Sequence, residues 1–266
     1  MGFVLSCSTI PTRIDYLIQL IAQRHIKARY EYFVINICCE YKRFGKFNVS
    51  KSLLQLCKQS KGKIIFNFVD DYGPLCKYIG GFQFMKKKKL FKSKLIIIDD
   101  DTLYHKDLFY ELIDNKTCSN ITTGSGFNYD HNRNYNIVEG KTDMVEGYGG
   151  ICFDLKQYDH FIFWYAKFYK HFDFKSDNVI DKYLSASFLG DDFIISNCYT
   201  DKYAISKGRQ YINPQAYGFQ NDALHKNNVF GSNMGSYLYL YQNIQILETF
   251  KLKYKLNKEI NENSIL

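Results

Sequence analysis

Short apolar runs alternate with amphipathic stretches through the first half of the chain, and this alternation constrains the fold more than any other feature. The apolar runs predict strands at Phe3–Cys7, Tyr32–Cys38, Ile64–Val69 and Leu95–Ile98. The stretches between them predict helices at Asp15–His25, Ser50–Gln59 and Leu75–Lys89, with a break at Gly80–Gly81 as the alternative for the third. Strands joined through helices are typical of βαβ units. The sequence therefore predicts an α/β fold, Rossmann-like, with a mainly parallel central sheet flanked by helices.

The alternation weakens after residue 115, where loops rich in Asn, Gly and Tyr are predicted over Thr122–Asn136. Further helices are predicted at Lys106–Ile113, Tyr158–Phe172, Val179–Ser187, Asp192–Cys198 and Ser236–Phe250. The chain of 266 residues shows no internal repeat and no linker. We therefore expect a single domain over residues 1–250, with halves that meet near residue 115, followed by a polar C-terminal tail over residues 251–266.

Three tight groups of carboxylates stand out in a basic chain. The formal net charge is +8, from 35 Lys and Arg against 27 Asp and Glu, yet acids cluster at Asp70–Asp71, Asp99–Asp101 and Asp191–Asp192. Uncompensated like charges are costly to hold close together, so a divalent cation would explain at least one of these groups. The positive charge favours anionic partners. Lys and Arg are dispersed and no recognised binding module is visible, so we expect no nucleic-acid partner.

The aspartates at 99–101 directly follow the predicted strand Leu95–Ile98. A buried parallel strand delivers its C-terminal residues to the sheet edge where ligands bind in open α/β folds. Carboxylates at that edge can hold Mg²⁺ or Mn²⁺ and bridge the ion to phosphates. The alternative is a helix N-cap followed by solvated loop acids. Three consecutive acids after such a strand favour the metal site.

Five segments, in this order, resemble a glycosyltransferase of the GT-A fold, of a type found in bacteria and large DNA viruses. They are Thr-Ile-Pro-Thr-Arg (9–13), Asp-Tyr-Gly-Pro-Leu-Cys-Lys (71–77), Ile-Asp-Asp-Asp-Thr-Leu-Tyr (98–104), Glu-Gly-Tyr-Gly-Gly (146–150) and Gly-Asp-Asp (190–192). The resemblance covers roughly residues 3–230. It implies a nucleotide-binding half over about 1–115 and an acceptor half over about 116–250.

The resemblance also implies a reaction: a metal-dependent hexosyl- or pentosyltransferase moves a sugar from a nucleoside-diphosphate sugar to the hydroxyl of a carbohydrate or glycoconjugate, with inversion. The cofactor would be Mn²⁺ or Mg²⁺, bound by Asp101 and Asp99, with His225 as a further ligand. Donor binding falls to Thr9, Pro11, Arg13, Asp71, Lys77, Asp99, Asp100, Gly149 and Gly150. The catalytic base would be Asp192, with Asp191 as the second choice.

Each assignment has a plainer alternative. Lys77 is equally well read as a solvated helix lysine, and Asp191 or Asp192 as a helix cap. Gly149–Gly150 could form a turn or bulge between two strands. For the whole chain, the alternatives are a GT-A-like binding or virion-surface protein without turnover, and a sugar nucleotidyltransferase. The last normally carries a Gly-rich basic stretch after the first strand, where this chain has only Thr9–Arg13, without glycine.

The sequence also bears on location and on the cysteines. No apolar run approaches the ~18 residues that cross a bilayer, and no secretory signal is visible, so we expect a cytoplasmic protein, in the host cytoplasm if viral. Lys86–Lys89 is interpreted as a solvated helix end, with a contact to anionic lipid as the alternative. Eight cysteines are scattered without a C-x-x-C motif. This pattern fits neither a zinc cage nor a disulfide framework, so reduced, mostly buried thiols are expected.

Overall fold

The computed structural model describes residues 2–22, 30–102, 104–105, 107–113, 121–129, 135–198, 204–208 and 233–263. The strands are β1 Phe3–Ser8, β2 Tyr32–Cys38, β3 Glu40–Tyr41, β4 Gly45–Lys46, β5 Ile64–Val69, β6 Lys94–Ile97, β7 Ile121–Thr123, β8 Gly126–Tyr129, β9 Tyr135–Ile137, β10 Glu139–Thr142, β11 Met144–Val145, β12 Ile151–Asp154 and β13 Ala204–Lys207. The α-helices are α1 Ile14–Ala22, α2 Lys51–Gln59, α3 Cys76–Lys88, α4 Leu108–Ile113, α5 His160–Ala166, α6 Val179–Leu189, α7 Asp191–Cys198, α8 Asn233–Gln242 and α9 Ile244–Asn263.

Within these residues, one eight-stranded sheet forms the centre of the fold, in the order β10-β13-β7-β12-β6-β1-β2-β5. Strands β5, β2, β1 and β6 are all parallel, while β12 runs antiparallel between β6 and β7. β13 is parallel to β7, and β10 closes the sheet as an antiparallel edge strand. The predicted α/β fold with a mainly parallel central sheet is confirmed, because the alternating apolar runs of the first half supply its parallel strands.

Helix α3 is continuous through Gly80 and Gly81, so the alternative of a break there is wrong. A Cβ on Gly80 would lie 2.0 Å from Asn36 Oδ1, and one on Gly81 would lie 2.8 Å from Ser6 Oγ. The two glycines therefore let α3 approach β1 and β2 closely. Ser6 Oγ donates a hydrogen bond to the Lys77 carbonyl (2.6 Å), and Asn36 Nδ2 donates one to Ser6 Oγ (2.8 Å). This buried network fixes the first turn of α3 on the sheet.

The second half departs from the prediction in three places. The region expected to be loops over Thr122–Asn136 contains strands β7, β8 and β9, and β8 lies between β9 and β11 in a small separate sheet. The predicted helix Tyr158–Phe172 is α5 followed by a short 3₁₀ helix at Lys167–Lys170. The predicted helix Ser236–Phe250 is two helices, α8 and α9, that meet at Asn243.

The C-terminal segment, expected to be a polar tail, is helical as far as Asn263. In the described part of the chain, no helix combines the length and the apolar character of a membrane span. The division of the chain into a domain of 1–250 and a tail stays a prediction.

The parallel strands place several chemically active segments at one edge of the sheet. The chain leaves β1 into Thr9–Arg13, β5 into Asp70–Asp71 and β6 into Asp99–Asp101. The carboxyl ends of parallel strands share the side of the sheet where ligands bind in folds of this class. The candidate site is built on this edge.

Candidate active site

Lys77 connects two groups of aspartates that are distant in the sequence. Its Nζ lies 2.6 Å from Asp99 Oδ1, which follows β6, and 3.0 Å from Asp191 Oδ2, at the start of α7. The Lys77 side chain is only 4% exposed. The interpretation of Lys77 as a solvated helix lysine is therefore wrong.

Arg13 holds the other two aspartates of the run after β6. It lies in a short 3₁₀ helix, Pro11–Arg13, that follows β1. Its Nη1 lies 3.1 Å from Asp100 Oδ1 and 2.8 Å from Asp101 Oδ2. The contact between Arg13 and these aspartates is a finding of the structure, since the resemblance implied only that Arg13 contacts the donor.

Asp192 makes different contacts from its neighbour. Its Oδ1 accepts a hydrogen bond from the Gly147 N–H (3.0 Å), and its Oδ2 accepts one from the Tyr237 hydroxyl (3.1 Å). Asp191 instead forms the ion pair with Lys77. The interpretation of Asp191 as no more than a helix cap is therefore wrong.

Gly147 and Tyr237 are site residues that the sequence did not single out. A Cβ on Gly147 would lie 2.6 Å from Lys77 Nζ and 3.0 Å from Asp192 Oδ1, so only a glycine leaves room for this contact. Gly147 belongs to the quoted Glu-Gly-Tyr-Gly-Gly segment, and that signal could have found it. Tyr237 lies on α8 among other aromatic and apolar residues, where no local pattern indicates it.

Burial and crowding disfavour the charged form of four carboxylates at this site. Burial, with Asp101 nearby, raises the pKa of Asp100 to about 7, although Arg13 opposes the shift. Burial also raises the pKa values of Asp101, Asp191 and Asp192, the last well above its usual range. Each shift reports the cost of holding negative charge in a poorly solvated site.

For the two cations of the site, the charged form is favoured instead. Burial disfavours the charged form of Lys77, but Asp191, Asp99 and Asp192 outweigh it and raise its pKa well above the usual value. Arg13 behaves in the same way toward Asp100 and Asp101. We call Arg13, Lys77, Asp99, Asp100, Asp101, Asp191 and Asp192 the acidic cluster. It contains five carboxylates and two cations.

The other predicted donor contacts lie around this cluster. Thr9 is buried, and its carbonyl accepts a hydrogen bond from the Tyr41 hydroxyl. Pro11 begins the 3₁₀ helix that carries Arg13. The Asp71 carboxylate accepts hydrogen bonds from the Lys42 and Gly73 N–H groups, at 2.7 and 3.0 Å.

Gly149 and Gly150 shape the turn between Gly147 and β12. A Cβ on Gly149 would lie 2.5 Å from Ser125 N, and Gly150 has a φ of +74°. Both positions therefore require glycine for backbone reasons. His225, the remaining predicted metal ligand, lies outside the described residues.

Comparison with known proteins gives matches among solved structures. No protein-family model and no curated protein matches the chain. Among solved structures, 4-diphosphocytidyl-2C-methyl-D-erythritol synthase from Anaerococcus prevotii is similar at 12% identity and a TM-score of 0.37, over 77% of this chain and 86% of that one. The galactosyltransferase LgtC, solved in complex with donor and acceptor sugar analogues, is similar at 14% identity and a TM-score of 0.35, over 59% of each chain. At such scores neither protein's activity carries over to this chain.

Proposed function

We propose that this protein is a metal-dependent glycosyltransferase that moves a sugar from a nucleoside-diphosphate sugar to an acceptor hydroxyl. The observation that carries the proposal is the acidic cluster, where five carboxylates meet the buried Lys77 and the partly buried Arg13 beside the ends of parallel strands. Such a site suits a ligand that brings both a diphosphate and a divalent cation. Four of the five segments that resemble GT-A glycosyltransferases contain the residues of this cluster. The fifth contains Gly147, which donates a hydrogen bond to Asp192.

The donor set fits Mn²⁺ or Mg²⁺. All the acids offer hard oxygen ligands, and Asp100 Oδ2 is buried without a hydrogen bond within the described residues. No three carboxylates of the cluster lie within 4.8 Å of one another in the described chain. Mg²⁺ is usually held by one or two carboxylates, with phosphate oxygens and water as its other ligands, so a third neighbouring carboxylate is not required. Asp101 and Asp99 would hold it, with His225 as a further candidate ligand, and the bound ion would stabilise the departing diphosphate as a Lewis acid.

Two cations of the chain would also stabilise the negative charge of the diphosphate. Lys77 and Arg13 each contact two carboxylates and so hold positive charge where the diphosphate would bind. Thr9, Pro11 and Asp71 would contact the nucleoside from the neighbouring strand ends. Gly149 and Gly150 would allow close approach of the sugar to the backbone.

Asp192 is the proposed base in an inverting reaction. Its two hydrogen bonds, from Gly147 and Tyr237, fix the carboxylate, yet each oxygen keeps a further lone pair for an acceptor hydroxyl. Its raised pKa improves its capacity to take a proton from that hydroxyl. Asp191 is the less suitable candidate, because Lys77 stabilises its charged form.

A thermal-shift screen tests the proposal. UDP-, GDP-, dTDP- and CMP-sugars are each added with and without Mn²⁺, because a ligand of the native state raises the apparent stability. We expect at least one donor to raise Tm only when Mn²⁺ is present, and Asp101→Asn to lose that shift. Asp154→Asn is the matched control, since Asp154 pairs with Lys94 at the opposite end of β6. A screen without any Mn²⁺-dependent shift, or an equal shift in Asp101→Asn, overturns the proposal.

A further inference from the structure

Two buried cysteines and an aspartate converge at the sheet edge, beside the acidic cluster. Cys38 ends β2 and Cys76 begins α3, and each is 1% exposed. Their sulfur atoms lie 3.6 Å apart, and Cys38 Sγ lies 3.9 Å from Asp71 Oδ1. One ligand atom from each of the three residues lies within 4.8 Å of the others.

The backbone around this group holds its ligand atoms in place. The Asp71 carboxylate accepts the N–H groups of Lys42 and Gly73, and Cys76 Sγ accepts the Tyr72 N–H at 3.3 Å. Gly73 has a φ of +59°, and a Cβ there would lie 2.5 Å from the Phe188 carbonyl oxygen. Hydrogen bonds of this kind orient metal ligands and tune their basicity.

We propose that Cys38, Cys76 and Asp71 form a second metal site, which binds one Zn²⁺ and leaves its fourth position to water or a small ligand. In a tetrahedral site with zinc–sulfur bonds of about 2.3 Å, two sulfur ligands lie about 3.8 Å apart. The observed separation of 3.6 Å is close to this value. Two thiolates and a carboxylate are a donor set that zinc accepts readily.

The chemistry separates this site from the acidic cluster. Sulfur ligands select zinc and similar soft ions, whereas oxygen-only sites suit Mg²⁺ and Mn²⁺. Arg43 interacts electrostatically with Asp71, and a cation bound between the two sulfur atoms and this carboxylate would add to the balance of its charge. Because Lys77 directly follows Cys76, the ion would also tie the start of α3 to the end of β2. The inference does not depend on glycosyl transfer.

Cobalt titration tests the site directly. The full chain, stripped of metal and kept in a phosphine reductant, is titrated with Co²⁺, and then Zn²⁺ is added. We expect thiolate-to-cobalt charge-transfer absorption that saturates at one equivalent and disappears when Zn²⁺ displaces the probe. Cys38→Ser and Cys76→Ser should abolish the absorption, and Asp71→Asn should weaken binding by about 10-fold or more.

Cys152→Ser is the matched control, because Cys152 is also buried but lies on β12. It should bind Co²⁺ like the wild type. If a serine variant does not fold, the wild-type titration and Asp71→Asn decide the question. A reduced wild type without stoichiometric charge-transfer absorption overturns the proposal, as does full absorption in both cysteine variants. A wild type that takes up no ion and only forms a Cys38–Cys76 disulfide in air overturns it equally.

Discussion

Replacing Lys77 by Met should destabilise the protein more than any exposed lysine substitution. Lys77 is buried and contacts Asp99 at 2.6 Å and Asp191 at 3.0 Å. Methionine keeps much of the length of the side chain and removes the charge. The aspartates would then stay in the cluster with Arg13 as the remaining cation contact.

The magnitude follows from the two contacts. At an effective dielectric constant of about 20, each charge pair at these separations is worth about 6 kcal/mol of gross Coulomb energy. The cost of desolvating the lysine, several kcal/mol, offsets part of this gain. Removing one partner of a buried ion pair typically costs about 3–5 kcal/mol, so we expect Lys77→Met to lower the free energy of unfolding by that amount.

Urea denaturation in metal-free buffer at pH 8 measures the effect. The matched control is Lys94→Met, because Lys94 also lies 2.6 Å from an aspartate, Asp154, but their side chains are 21% and 41% exposed. Partly exposed pairs contribute about 1 kcal/mol or less. The deficit of Lys77→Met should shrink toward acidic pH, because burial raises the pKa of Asp191 and lets it accept a proton there. An equal loss in both variants, or a deficit independent of pH, would refute the reasoning.

Three further predictions concern the aspartates. Because folding raises the pKa of Asp100 from 3.8 to about 7, its protonated form favours the folded state. This contribution is fully present below about pH 4 and is lost as the pH rises through 7, in total about 4 kcal/mol at 1.36 kcal/mol per pKa unit. Asp100→Asn should flatten that part of the stability profile in metal-free buffer, which pH-dependent urea denaturation checks. Asp192→Asn should lower kcat by about 10²–10⁴ and leave donor affinity nearly unchanged. Asp191→Asn should keep more turnover but lose stability. Steady-state kinetics in which Asp191→Asn loses more kcat than Asp192→Asn would make Asp191 the base. Tyr237→Phe removes a hydrogen-bond donor from the Asp192 carboxylate, so the pKa of Asp192 should rise. The acidic limb of the pH profile of kcat should then move to higher pH. The control Tyr241→Phe, on the exposed side of α8, should leave that limb in place.

The parallel half of the fold could be predicted from local sequence. β2 and β5 have the predicted bounds, β1 ends one residue later than predicted, and β6 begins and ends one residue earlier. Continuous apolar runs of this length, rich in Ile, Val and Phe, are typical of strands buried on both faces. The Ser50 hydroxyl accepts the Leu53 N–H and so caps the beginning of α2.

The second half depends on contacts that local patterns do not contain. β7 and β8 are only three and four residues long. They contain Thr, Gly and Asn, a composition that is more typical of loops than of strands. Gly80–Gly81 is a break signal in an isolated helix, whereas in α3 it permits contact with Ser6 and Asn36. Tertiary packing decides both cases.

The candidate site shows the same division. The strand-end aspartates could be placed at the sheet edge from the sequence, because parallel strands deliver them there. The bridge from Lys77 to Asp191 and the contacts of Asp192 depend on how α3, α7 and α8 meet. The cysteine pair is hidden for a similar reason, since 38 positions separate its members.

The products formed from a nucleotide-sugar donor test the proposed glycosyl transfer most directly. The donor that passes the thermal-shift screen is incubated with Mn²⁺ and a set of carbohydrate acceptors, whose hydroxyl groups or water take the sugar, and phosphorus NMR follows the nucleotide. We predict that the wild type releases nucleoside diphosphate, and that Asp192→Asn keeps the donor-induced rise in Tm but loses this release. Pyrophosphate formed from a nucleoside triphosphate and a sugar phosphate, or equal release by both proteins, would contradict the assignment.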